Sequence, residues 1–242
     1  MTYRDHAESI LLAEDLETKL SITPMAELED TCAGGSIFEK SVAPERPGRP
    51  ENLQMRRRGE SGAASLPARP NLVDDESRGT LMHFFANHEL LATELMALAL
   101  LKFPDAPRAF RRGLLHTMQE EQRHTRWYVN RMRECGVEFG SHDLSRFFWD
   151  SVATMETPLD YVTRLSLTFE QANLDYSLHF AGIVEEAGDA KTAKILRKIY
   201  QDEITHVGYG LRWFRKWKAE GMTDWDAYSS RLIFPLSPSR AK

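Results

Sequence analysis

The chain has 242 residues, 42% of them hydrophobic and 28% charged, with 36 acids, 31 bases and a formal net charge of −5. This is enough chain for one domain with appendages, and its composition is that of a globular protein able to bury a core without disulfide staples. The acidic balance argues against a general nucleic-acid binder. Two cysteines, Cys32 and Cys135, exclude a disulfide framework and a four-cysteine zinc site. The N-terminus mixes both charge signs and lacks a signal peptide's apolar stretch, and no apolar run reaches the ~18 residues a membrane span needs. The expectation is a cytoplasmic protein with no membrane segment.

Residues 6–20 read as a short amphipathic helix with Ile10, Leu12, Leu16 and Leu20 on its apolar side. From about 41 to 79 the character changes. Five of the 11 prolines lie between Pro44 and Pro70, together with Arg46, Arg49, Arg56, Arg57, Arg58 and Arg69. Proline fixes φ and removes a donor, so this stretch predicts an irregular arm. From Thr80 the pattern turns helical: about 80–102, stopped by Phe103-Pro-Asp-Ala-Pro107; 108–135, ended by Gly136; 158–187, opened by Pro158; and 190–219, ended by Gly221. Strand signals are weak throughout. Short turns make the first two helices antiparallel neighbours, and likewise the last two. The linking residues 136–157 can reach roughly 70 Å when extended, enough to cross a bundle about 42 Å long. The expected fold is all-α: a four-helix bundle of two antiparallel hairpins joined by a long crossover, the ferritin-like form. The expected division is an N-terminal helix and arm at 1–79, the bundle at 80–220 and a tail at 221–242.

The acids within these helices carry the chemistry. Leu114, Met118, Glu121, Thr125, Tyr128 and Met132 form one stripe, with His124 a turn beyond Glu121. The last helix repeats this with Leu196, Tyr200, Glu203, His206 or Val207, Gly210 and Trp213. Glu170 sits among Ser166, Leu167, Leu174, Ser177 and Leu178, and Glu89 among Phe85, Ala92, Met96 and Leu100. A buried, unpaired carboxylate costs several kcal/mol, so four inward glutamates need counter-charge. A dinuclear metal centre supplies it. Glu-x-x-His puts both side chains on one helix face. Glu121 follows Glu89 by 32 residues and Glu203 follows Glu170 by 33, which places each pair at one height in its hairpin. The opposing reading is a plain bundle with surface Glu–His pairs.

Glu89, Glu121-Gln-Arg-His124, Glu170 and Glu203-Ile-Thr-His206 resemble, residue by residue, the ligand pattern of ferritin-like di-iron carboxylate proteins. More closely, His88-Glu-Leu-Leu-Ala-Thr-Glu94, Glu120-Glu-Gln-Arg-His124 and Asp202-Glu-Ile-Thr-His-Val207 look like a domain-of-unknown-function family within that superfamily. The resemblance spans about residues 80–218. It implies a metal site of Glu89, Glu121, His124, Glu170, Glu203 and His206, with Glu121 and Glu203 as the catalytic, bridging pair. It further implies two Fe ions, with Mn or mixed Mn/Fe compatible with the same donors. Superfamily members include oxygenases, ferroxidases, peroxide scavengers and ribonucleotide reductase small subunits.

Glu94 and Asp175, each five residues after a predicted ligand, are candidates to orient the metal-bound histidines. Glu94 is also an alternative to Glu89 as the ligand from its helix. Tyr128 and Tyr209 follow the two histidines by about a turn, as hydrogen-bonding or redox-active partners or as ordinary core tyrosines. The remaining histidines and both cysteines receive no role. Basic clusters at Arg56–Arg58, Arg108, Arg111, Arg112 and Arg212, Arg215, Lys216, Lys218 read as solvated faces, with an RNA substrate as the minor reading. The leading functional expectation is a non-haem di-iron oxygenase or hydroxylase taking O2, a small organic substrate and an external electron donor. The arm and crossover would form the substrate lid, and a homodimer is compatible with it. The alternatives are a ferroxidase or peroxide-detoxifying protein, and a non-catalytic helical interaction module.

Overall fold

The computed structural model describes residues 1–31, 44–56 and 72–237. Cys32, Arg57, Arg58 and Arg69 fall outside these. The described chain is mainly helical. In order it forms α1 Tyr3–Leu12, α2 Leu16–Lys19, α3 Asp75–Lys102, α4 Arg108–Glu134, α5 Phe147–Val152, α6 Pro158–Tyr161, a π-helix Val162–Glu170, α7 Gln171–Glu186, α8 Ala190–Trp217 and α9 Asp224–Arg231. The strands among the described residues are a two-residue parallel pair, β1 Met55–Arg56 with β2 Leu144–Ser145, which ties the arm to the crossover.

α3 packs along α4, and the π-helix with α7 packs along α8; α4 meets α8 between the hairpins. The local chemistry follows the chain. Asp74 caps α3 by accepting from Ser77 N, which starts that helix at Asp75, five residues before the expected Thr80. α4 ends at a left-handed Gly136, φ 77°, with Val137 N reaching back to Met132 O. Asp189 caps α8 through Thr192 N and also accepts from Arg131 of α4, so one carboxylate closes a helix and joins the hairpins.

Four expected stretches differ. The helix expected over 6–20 is two, because Asp15 accepts from Thr18 N and starts a new turn there; Leu12 is exposed rather than buried. The helix expected over 158–187 is interrupted by the π-helix, in which Thr168 Oγ1 donates to Thr163 O five residues back. The crossover and tail carry helices α5 and α9, with Thr223 capping α9.

α3 is buried nearly all round. It is long and apolar enough to cross a membrane by length and composition, but 89% of its apolar window is buried inside the protein, as in a core helix. The apolar core forms two clusters. One holds Leu91–Leu101 of α3, Phe110–Met118 of α4, Leu165–Phe169 of the π-helix and Tyr209–Phe214 of α8. The other holds Leu81–Leu90, Tyr128–Met132, Phe180–Val184 and Ala193–Ile199 from the same four stretches of chain. Between them, at mid-height, lies a polar layer.

Candidate metal centre

The polar layer contains Glu89 from α3, Glu121 and His124 from α4, Glu170 from the end of the π-helix, and Glu203 and His206 from α8. All six are at most 4% exposed. Their donor atoms fall into two groups: Glu89, Glu121, His124 and Glu203, and Glu121, Glu170 and His206. Within each group the atoms lie within 4.8 Å of one another. Glu121 belongs to both. Its Oε2 lies 3.3 Å from His124 Nδ1 and its Oε1 lies 2.8 Å from His206 Nδ1. One carboxylate therefore spans the two imidazoles.

Each imidazole is aimed by a carboxylate from the opposite helix. His124 Nε2–H donates to Asp202 Oδ2 of α8 at 3.2 Å, and His206 Nε2–H donates to Glu120 Oε2 of α4 at 2.9 Å. With Nε2 committed as a donor, Nδ1 of each ring faces the cluster, where a metal would take its lone pair in place of a proton. These partners replace the two expected ones. Glu94 is fully buried but accepts from Arg49 Nε at 2.9 Å and Nη2 at 2.7 Å, and from Lys19 at 3.0 Å. That ion triad fastens the N-terminal helices and the arm to α3. It also removes Glu94 as an alternative to Glu89 at the cluster. Asp175 is exposed on α7. A signal for the true partners was present: an acid immediately precedes each Glu-x-x-His, as Glu120 and as Asp202.

Both Glu170 oxygens are buried without hydrogen-bond partners among the described residues, and Glu121 Oε1 and Glu203 Oε2 meet His206 Nδ1 only as charge contacts at 2.8 and 3.4 Å, outside hydrogen-bond geometry. Orphaned, converging oxygens and an imidazole nitrogen are what a divalent cation satisfies. With protons as the sole counter-ions the layer is strained. Burial pushes Glu89 well above the usual carboxylate range, and the Glu121 charge adds to that. Burial and then the Glu203 charge push Glu170 up to about 8. Burial disfavours the charge on both histidines, yet Glu121 beside them holds each well above the usual imidazole range. Two divalent ions would balance four glutamates without borrowed protons, so the residues fit such a centre.

Tyr128 is fully buried against Phe85, its hydroxyl has no hydrogen-bond partner among the described residues, and burial with the Glu89 and Glu203 charges raises its pKa. Tyr209 is instead committed to α4, donating to Phe110 O at 2.7 Å. Tyr161, not singled out in the sequence, is a second buried tyrosine without a hydrogen-bond partner among the described residues, raised by burial and by Glu170. Gly210 lets α8 approach the π-helix: a Cβ there would lie 2.3 Å from Ser166 Cβ. From the crossover, Phe148 stacks on His88 at 4.4 Å and on Phe169 at 3.8 Å, the chain neighbours of Glu89 and Glu170. The basic clusters go largely to structure. Arg108 and Arg111 pair with Asp30, Arg215 and Lys218 pair with Asp224, and Arg56 pairs with Asp143.

Fold and site together define an all-α helical bundle with a buried carboxylate–imidazole cluster able to hold metal. The chain belongs to the family described as "Protein of unknown function (DUF455)", whose model matches residues 11–240. No curated protein and no solved structure matches it.

Proposed function

We propose that this protein is a non-haem di-iron oxidoreductase of the ferritin-like type that uses O2 to hydroxylate or oxygenate an organic substrate. The observation that carries the reading is the spanning carboxylate Glu121, with one oxygen beside each Nδ1 of two buried, outward-anchored histidines. One glutamate from each of two helices and a Glu-x-x-His from each of the other two is the donor set of ferritin-like dimetal carboxylate proteins. In this reading Glu89 and His124 serve one metal position, Glu170 and His206 the other, and Glu121 both. Glu203, expected from the sequence as the second bridge, would join them through Oε2, the oxygen that lies 3.4 Å from His206 Nδ1.

When bound, two Fe(II) ions would supply reducing equivalents to O2, and an external donor would restore them. The chain's own part is to hold donors and exclude water. Asp202 and Glu120 fix the imidazoles. The two apolar clusters keep the layer dry. The stack of Phe148, His88 and Phe169 supports a crossover that walls the Glu89 and Glu170 side against solvent.

The test is metal analysis of protein purified without oxygen, then O2 admission with oxygen uptake recorded. Two iron or manganese ions per chain are expected, with stoichiometric uptake, and both are lost in Glu121→Ala and His124→Ala. Iron loading far beyond two per chain would establish a storage ferroxidase instead. No bound metal, with stability unchanged in those variants, would establish a non-catalytic module.

A further inference from the structure

Asn173 stands one turn after Glu170 on α7 and lies outside every motif in the sequence. Its Nδ2 donates to Glu89 Oε1 at 3.2 Å and to Glu203 Oε1 at 2.8 Å. The amide cannot usefully turn over. Ser177 Oγ donates to Asn173 Oδ1 at 3.3 Å, and the reversed amide would aim its own oxygen at two carboxylates. Ser177 is fully buried, so this partner is held by packing.

The second oxygens of the same glutamates look elsewhere. Glu89 Oε2 lies 3.7 Å from His124 Nδ1, and Glu203 Oε2 lies 3.4 Å from His206 Nδ1. One amide thus occupies one oxygen on each of two carboxylates and leaves the other facing a different imidazole. Glu121 differs: each of its oxygens lies beside an imidazole Nδ1.

We infer that Asn173 is a positioning residue that withholds Glu89 Oε1 and Glu203 Oε1 from the metals, so that each of these two glutamates offers a single oxygen, while Glu121 and Glu170 keep both. The inference rests on the dimetal reading above and deepens it. Asn173 limits how many protein oxygens fill the coordination shells and so keeps positions open for O2 or substrate. It does so with a neutral group, which adds no charge to the layer. Because the amide competes with metal for those two oxygens, it weakens metal binding as it opens the site. A residue that merely packed would not have that sign.

The full-length chain is titrated with Co(II), following the binding isotherm and the visible ligand-field band. Wild type is expected to take two Co(II) ions. Asn173→Leu, of nearly the same volume, is expected to bind them about tenfold tighter, the loss of one competing charge-assisted hydrogen bond. Its band is expected to weaken towards that of six-coordinate ions. Ser177→Ala keeps the amide but frees its rotation, and is expected to move both readouts the same way by less. If Asn173→Leu does not fold, Ser177→Ala decides. Unchanged or weaker affinity with an unchanged band, in whichever variant is measured, overturns the inference. Wild type that binds no Co(II) instead overturns the dimetal reading beneath it.

Discussion

Replacing Glu94 by Gln separates its place in the ion triad from any part in holding metal. The Glu94 carboxylate has no exposed surface and receives Arg49 Nε and Nη2 at 2.9 and 2.7 Å and Lys19 Nζ at 3.0 Å. Lys19 is itself fully buried and donates to Ile10 O and Leu11 O, and Arg49 Nη1 donates to Asn87 Oδ1. Removing the single anion leaves two buried cations facing a neutral amide. Breaking a buried pair in this way costs about 3–5 kcal/mol, more than the gain an intact pair gives over an apolar substitute. For a chain of this size that corresponds to a fall in Tm of roughly 6–20 °C, at about 2–4 °C per kcal/mol. Urea unfolding followed by circular dichroism measures the loss, and metal analysis of the same preparation measures occupancy. The expected result is a large destabilisation with metal stoichiometry unchanged. Adding Lys19→Met should recover part of the loss, since it removes one of the two stranded cations. The reasoning is refuted if Glu94→Gln unfolds within about 1 kcal/mol of wild type, against the penalty expected for a broken buried pair. It is equally refuted if the variant loses a metal ion.

Asp202→Asn and Glu120→Gln should each weaken metal binding by roughly 10–100-fold, while Asp175→Asn leaves it unchanged; competition against a chelator of known affinity ranks them. Adding Fe(II) or Mn(II) without oxygen should raise the Tm, by an amount equivalent to about 4 kcal/mol at a thousandfold excess over Kd, and a chelator should reverse it. Asp189 is held down to about 2: burial works against its charge, but the Thr192 and Arg131 bonds outweigh that. A depressed carboxylate stabilises fully above its unfolded value of 3.8, and that stability disappears as pH falls towards 2. Asp189→Asn should therefore lose about 2 kcal/mol at neutral pH and flatten the acid limb of a stability–pH curve below pH 4. Gly210→Ala should cost about 1–3 kcal/mol by forcing α8 off Ser166, seen as a lower urea midpoint.

The long helices were readable because each carries a 3.6-residue pattern between clear stops, and Glu121 and Glu203 stood out as acids within apolar stripes. Glu94 was not readable in the same way. α3 is buried nearly all round, so periodicity could not tell an acid facing the cluster from one facing Arg49, whose partner is set by the path of a proline-rich arm. Asp202 and Glu120 were missed because each serves the histidine of another helix, and a pattern taken one helix at a time does not register a bond across the bundle. Asn173 was missed for the same reason, being half-buried on a helix whose exposed side mixes Gln171, Asp175 and His179 with Tyr176 and Leu178 and so gives no clear face. The π-helix before Glu170 leaves no trace in the spacing of apolar residues, since it changes the hydrogen-bond register rather than the residue types.

In the metal-free chain, a charged layer between two apolar clusters would reverse the usual distribution of local stability. Helices ordinarily loosen from their ends inward, and the deepest amides exchange last. Here the two apolar clusters lie towards the two ends of the bundle, and α3, α4 and α8 each pass through the carboxylate layer near mid-length. Without cations, those central turns hold four neighbouring glutamates with only two imidazoles and borrowed protons to offset them. Backbone amides around Glu121–His124 and Glu203–His206 would then exchange before amides nearer the helix ends. Metal binding would restore the ordinary order, so hydrogen exchange along α4 and α8 would record occupancy of the centre without any catalytic assay.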